Sequence, residues 1–96
     1  MDAENSALNS KTINVASSAS SVNLLPLNEA RKGAAFFNDS TSILRIKLGA
    51  TASLTSYTVQ VAKGGYYELP VSNIYLGVID GIWDSANGNC RVTELV

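Results

Sequence analysis

Apolar and polar residues alternate along much of this chain with a period of two. Leu44, Ile46 and Leu48 are separated by Arg45 and Lys47, and Tyr57, Val59 and Val61 by Thr58 and Gln60. Ile13 and Val15 stand against Thr12 and Asn14, and Cys90 and Val92 against Arg91 and Thr93. This is the spacing of strands with one buried and one wet face, because successive side chains of a strand point to opposite sides. Three shorter apolar runs, Val22–Leu25, Ala34–Phe37 and Tyr66–Leu69, suit strands as well. In Gly77–Trp83 both alternating sets are mostly apolar, which predicts a strand covered on both sides.

Turn chemistry separates these segments. Asn38-Asp39-Ser40-Thr41-Ser42 carries short polar side chains that bond their own backbone. Lys63-Gly64-Gly65 has two glycines free to adopt conformations closed to other residues, and Asp84–Asn89 contains an Asn-Gly pair. Pro26 and Pro70 each end a strand, since proline lacks the ladder donor. Three hairpins are therefore predicted: Ala34–Phe37 with Ile43–Leu48 at the centre, Tyr57–Ala62 with Tyr66–Leu69, and Gly77–Trp83 with Cys90–Leu95. Leu27–Gly33 reads as one helical turn or a loop, and Ser17–Ser21 as a bend or a linker. Strands at intervals of roughly 8–14 residues predict an all-β fold, a small antiparallel β-sandwich or barrel over 12–96. Residues 1–11 show no useful period and are expected to form a flexible or arm-like N-terminus.

Composition narrows the function. A chain of 96 residues makes one domain with a thin core. Charged residues are 16% of it, below the usual ~25%, which suggests that some apolar surface meets a partner. The formal charge of −1 and the lack of a basic block argue against nucleic acid as a partner. The single cysteine, Cys90, allows no internal disulfide, and without histidine there is neither a zinc cluster nor an imidazole base to expect. The polar start does not resemble a secretion signal, and no apolar run approaches the ~18 residues of a membrane span. Synthesis and folding in a cytosol are expected.

The residues that could carry chemistry point the same way. Glu68, Asp80, Asp84 and Glu94 match no metal-ligand spacing, so no metal and no cofactor are expected. Asp80 lies among apolar neighbours and must accept hydrogen bonds or pair with a cation such as Arg91, making Asp80 and Arg91 a candidate structural pair. Arg31 has Glu29, a backbone carbonyl or solvent as possible company. The hydroxyl residues have no histidine partner, and Lys63-Gly64-Gly65 lacks the spacing and following helix of a phosphate loop, so enzymatic activity is not expected. Tyr66, Tyr67, Tyr75 and Trp83 are the candidate interface, because large rings bury much area at low entropic cost. Alternation sends Tyr66 and Tyr67 to opposite faces, one to the core and one outward. For Trp83 the core is the favoured place.

Asn28 with Arg31 and Gly33, then FFNDS, LRIKLGATASLTSYTVQVAKGGYYELP, GVIDGIW and ANGNCRVTEL, resemble a family of small virion proteins of tailed bacteriophages. The resemblance runs from Leu24 to Leu95 and rests on the order of these segments. It implies a compact β-rich structural protein of the virion, folded in the host cytoplasm and then attached to the particle, with no active site. The expected role is capsid decoration or stabilisation, with the major capsid protein and copies of itself as partners. A homo-oligomer, for instance a trimer, would match a symmetric shell. The alternative is a tail- or fibre-associated module that binds carbohydrate or a receptor through Tyr66 or Tyr67, Tyr75 and Trp83.

Overall fold

A computed structural model of the chain describes residues 6–96. The fold is all-β: β1 (Ser10–Ala16), β2 (Val22–Leu25), β3 (Gly33–Ser40), β4 (Leu44–Leu48), β5 (Val59–Val61), β6 (Tyr66–Glu68), β7 (Ile79–Trp83) and β8 (Gly88–Leu95). They form two antiparallel four-stranded sheets, β1-β8-β3-β6 and β2-β7-β4-β5. That pair of strand orders is the topology of an eight-stranded jelly roll, the double-sheet solution for a small antiparallel sandwich. Among the described residues no helix is long and apolar enough to cross a membrane. Of the expected N-terminal arm, residues 1–5 lie outside the described residues. Ser10 and Lys11 belong to β1, and the Leu8 and Asn9 amides donate to the Val96 carbonyl.

The three predicted hairpins are not present. β3 and β4 lie in opposite sheets, as do β5 and β6, and β7 and β8. Among the described residues only β4 and β5 are consecutive strands that pair with each other, through the loop of residues 49–58. Each predicted turn exists, but it carries the chain across the sandwich. At Lys63-Gly64-Gly65 the Gly65 amide donates to the Ala62 carbonyl, with Gly64 at φ 75°, where a side chain would be strained. The segment 27–33 contains a turn closed by the Arg31 amide on the Asn28 carbonyl.

The core lies between the sheets. Phe36, Cys90 and Val92 of the first sheet meet Leu24, Leu44, Ile46, Ile79 and Trp83 of the second, and all are buried. A register shift between Asn23 and Leu25 accompanies the burial of both Leu24 and Leu25. β7 is buried throughout, as the doubly apolar pattern predicts. Its Gly81 faces inward, where a Cβ would lie 2.8 Å from Leu24 Cδ1. On the outer side Ser21 donates to Asp80 and accepts from the Ala52 amide, so the 49–58 loop closes over that end of the strand.

Two buried polar groups tie elements together. Asn38 of β3 donates from Nδ2 to the carbonyls of Ser42, Val61 and Ala62 at 2.8, 2.9 and 3.2 Å. Its Oδ1 accepts from Ser40 Oγ at 2.7 Å and from Trp83 Nε1 at 3.1 Å. Arg31 is buried as well, paired with Glu94 at 2.8 Å and donating to the carbonyls of Pro26, Tyr75 and Gly77. The guanidinium's forked donors satisfy several fixed acceptors at once, which a lysine could not reproduce.

Candidate functional site

The outer face of the first sheet is set by the register of its strands. Inward positions on β3 are Ala34, Phe36 and Asn38, so Gly33, Ala35, Phe37 and Asp39 turn outward. Strand pairing arranges the outward residues in rows. Tyr66, Phe37, Arg91 and Asn14 lie side by side across β6, β3, β8 and β1. Glu68, Ala35, Thr93 and Thr12 form the next row, and Gly33, Leu95 and Ser10 the third. Tyr66 is 70% exposed, and Phe37 and Leu95 are also open to solvent. A groove of about 240 Å³ opens beside them, lined by Gly33, Ala35, Leu69, Val71, Thr93 and Leu95 among others.

One half of this face is apolar and the other polar. Arg91 Nε donates to Asp39 Oδ2 at 2.9 Å, and Arg91 Nη1 donates to Asn14 Oδ1 at 3.3 Å. Thr12 and Thr93 share a hydrogen bond of 3.1 Å. The Arg91–Asp39 pair is exposed on both sides, so water screens it and it contributes little to stability.

The structure separates the four rings of the expected interface. Tyr66 alone projects freely. Tyr67 points inward and stacks on Phe36, with ring centroids 6.2 Å apart, as alternation requires. Tyr75 is half-buried against the core. Trp83 is 1% exposed and drops out of the candidate interface into the core, its favoured place: it lies on the inner face of β7, and its indole N–H is held by Asn38. Leu95 shares the outward parity of Arg91 and Thr93, whereas Phe37 was not legible as a surface residue, because Ala34–Phe37 is apolar at both parities. The only signal was the tyrosine pair, which marks one face of β6 as open.

Asp80 and Arg91 do not pair. They belong to β7 and β8, which lie in opposite sheets, with Asp80 on the outer side of one and Arg91 on the outer side of the other. Asp80 accepts instead from Ser21 Oγ at 3.4 Å and from Asn23 Nδ2 at 3.3 Å. The other carboxylates are also dispersed: Glu94 meets Arg31, and Asp84 meets Arg45, whose guanidinium lies over the Tyr57 ring at 5.4 Å. Among the described residues no group of three His, Cys, Asp or Glu side chains gathers that could hold a metal ion. Comparison of the chain with protein families, curated proteins and solved structures finds no match.

Proposed function

We propose that this chain is a non-enzymatic structural protein of a tailed-phage virion that decorates and stabilises the capsid. On this reading it folds in the host cytoplasm and docks on the major capsid protein through the outer face of the first sheet. The observation that carries the reading is the row formed by Tyr66, Phe37 and Arg91, with Leu95 and the groove beside it. An exposed aromatic anchor on a rigid sheet, bordered by an ion pair, is the arrangement that makes a protein interface specific. The segments resembling small virion proteins supply the setting. Jelly rolls serve capsids, lectins and cupins alike, so topology adds no argument of its own.

Quantitative mass spectrometry of purified particles tests the proposal by comparing the copy number of this chain with that of the major capsid protein. A ratio near one, or a simple fraction of it, is the expected result. A handful of copies would shift the protein to the neck, tail or fibres. There the same Tyr66–Phe37 platform, with Arg91, Asp39 and Asn14 as polar neighbours, fits a carbohydrate or receptor, and a glycan array with wild type and Tyr66→Ala would be the next measurement. Absence from the particle would overturn both readings.

A further inference from the structure

The first sheet ends in an open edge at β1. The amides of Asn9 and Val96 donate reciprocally to each other's carbonyls, and the Ser17 amide donates to the Gly88 carbonyl. Because hydrogen-bonded positions alternate in an antiparallel pair, Lys11, Ile13 and Val15 face β8 with their backbone groups. Ser10, Thr12, Asn14 and Ala16 turn theirs away from the sheet, where β1 has no neighbouring strand among the described residues. The strand runs for seven residues in continuous register with β8 and contains no proline. Its inward side chains, Ile13 and Val15, are only partly buried although they pack against the core. Natural edges are usually short, bulged, charged or covered; β1 carries one such device, Lys11 near its start, and is otherwise a template for another strand.

We propose that β1 pairs antiparallel with β1 of a second copy, about a two-fold axis through Ile13, joining two first sheets into one continuous eight-stranded sheet. The register follows from the strand itself. Centring on Ile13 sets Ser10 opposite Ala16 and Thr12 opposite Asn14, so every outward-turned backbone group finds a partner. The four residues of each copy meet four of the other, and each pair exchanges two N–H···O bonds, on the order of eight in all. Ile13 faces its own copy in the close, non-hydrogen-bonded position, which covers the half-exposed side of the core. Thr12 and the Asn14 amide come within reach on the outer face. Lys11 is the one charge on the strand and would resist random stacking. The two-fold carries the two lysines to opposite ends, about 13 Å apart along the strand and beyond a Debye length of about 8 Å. A second copy thus satisfies every outward backbone group and keeps the two like charges apart. The contact is isologous and closes as a dimer. A trimer would need a different surface. The inference does not depend on the virion reading.

Two substitutions test it on the full chain, with light scattering across a concentration series. Wild type should approach twice 10.1 kDa as concentration rises. Thr12→Pro removes an outward N–H that β8 does not use, so it should abolish the dimer while leaving the thermal transition of the monomer close to wild type. Ile13→Cys sets two thiols opposite each other at the axis, where the ~4.5 Å Cα separation of such a pair lies within disulfide range. Oxidised glutathione should convert it to a linked dimer, whereas Asn14→Cys, which faces Thr12 of the partner, should stay unlinked. A wild type that remains monomeric throughout would overturn the proposal, as would a dimer indifferent to Thr12→Pro. Cross-linking through Asn14→Cys but not Ile13→Cys would overturn the register. None of these outcomes alters the copy number on the particle, so the two proposals fail separately.

Discussion

Cys90 shows at the scale of one residue how burial decides chemistry. Alternation places it on the inner face of β8, and there its side chain is fully enclosed. Burial disfavours the thiolate and pushes the thiol up to about 12 from an ordinary 9.0. The folded protein therefore keeps this proton at a pH where the unfolded chain has lost it. Its contribution to stability is complete below pH 9.0 and declines as pH rises from there toward about 12. The slope in that window is at most about 1.4 kcal/mol per pH unit. Urea unfolding at a series of alkaline pH values should show wild type losing stability faster than Cys90→Ala, which shares every other titration. Parallel curves would mean that the thiol is hydrated in the native state. Residue roles of this kind were legible in part: the inward and outward sets of β1, β4 and β8 follow from period two. Trp83 was harder, since an aromatic in a doubly apolar strand suits either side.

At the scale of elements, Asn38 explains why β3 and β4 form an arch across the sandwich. In a hairpin its side chain would sit in a turn facing water. Here it is buried, and its amide links β3 to the carbonyls of Ser42, Val61 and Ala62 and to the Trp83 indole. The backbone of Asn38 extends the tie, accepting from the Gly64 amide and donating to the Gly65 carbonyl. One asparagine thus holds the crossings that follow β3 and β5. Asn38→Ala would leave buried carbonyls and the Trp83 N–H unpaired, each worth about 1–3 kcal/mol. A loss of about 3 kcal/mol or more is expected, a shift on the order of 10 °C or more in Tm for a domain this small. Asn38→Ala unfolding with wild-type stability in urea would show that water replaces the amide. The strands themselves were readable within a few residues of their ends. Their partners were not, because an arch and a hairpin use the same turn residues and the same alternation.

At the scale of the whole molecule, the exposed face of the first sheet and its open edge at β1 carry the two proposals, docking and pairing. Phe37 and Tyr66 contribute large apolar area outward and little to the core, so Phe37→Ser with Tyr66→Ala should leave the melting temperature within a few degrees of wild type. If the proposed capsid role holds, that double variant added back to particles stripped of the protein should bind at least tenfold more weakly. Equal binding would move the contact to another face. What the amino-acid sequence determined by itself was local: the period of two, the turns between strands, the two prolines that end them and the scarcity of charge. Those follow from side-chain geometry and backbone chemistry within a few residues, and they were enough for an all-β fold, a sandwich or a barrel. Tertiary structure alone decided which strands became neighbours, and with that which residues share a surface. Tyr66, Phe37 and Arg91 are far apart in the chain and adjacent only because β6, β3 and β8 join one sheet. Asp80 and Arg91 are close in the chain and kept apart because β7 and β8 do not. Pairing is settled by the burial of two complete faces against each other, a sum over the whole molecule that no short stretch of sequence contains.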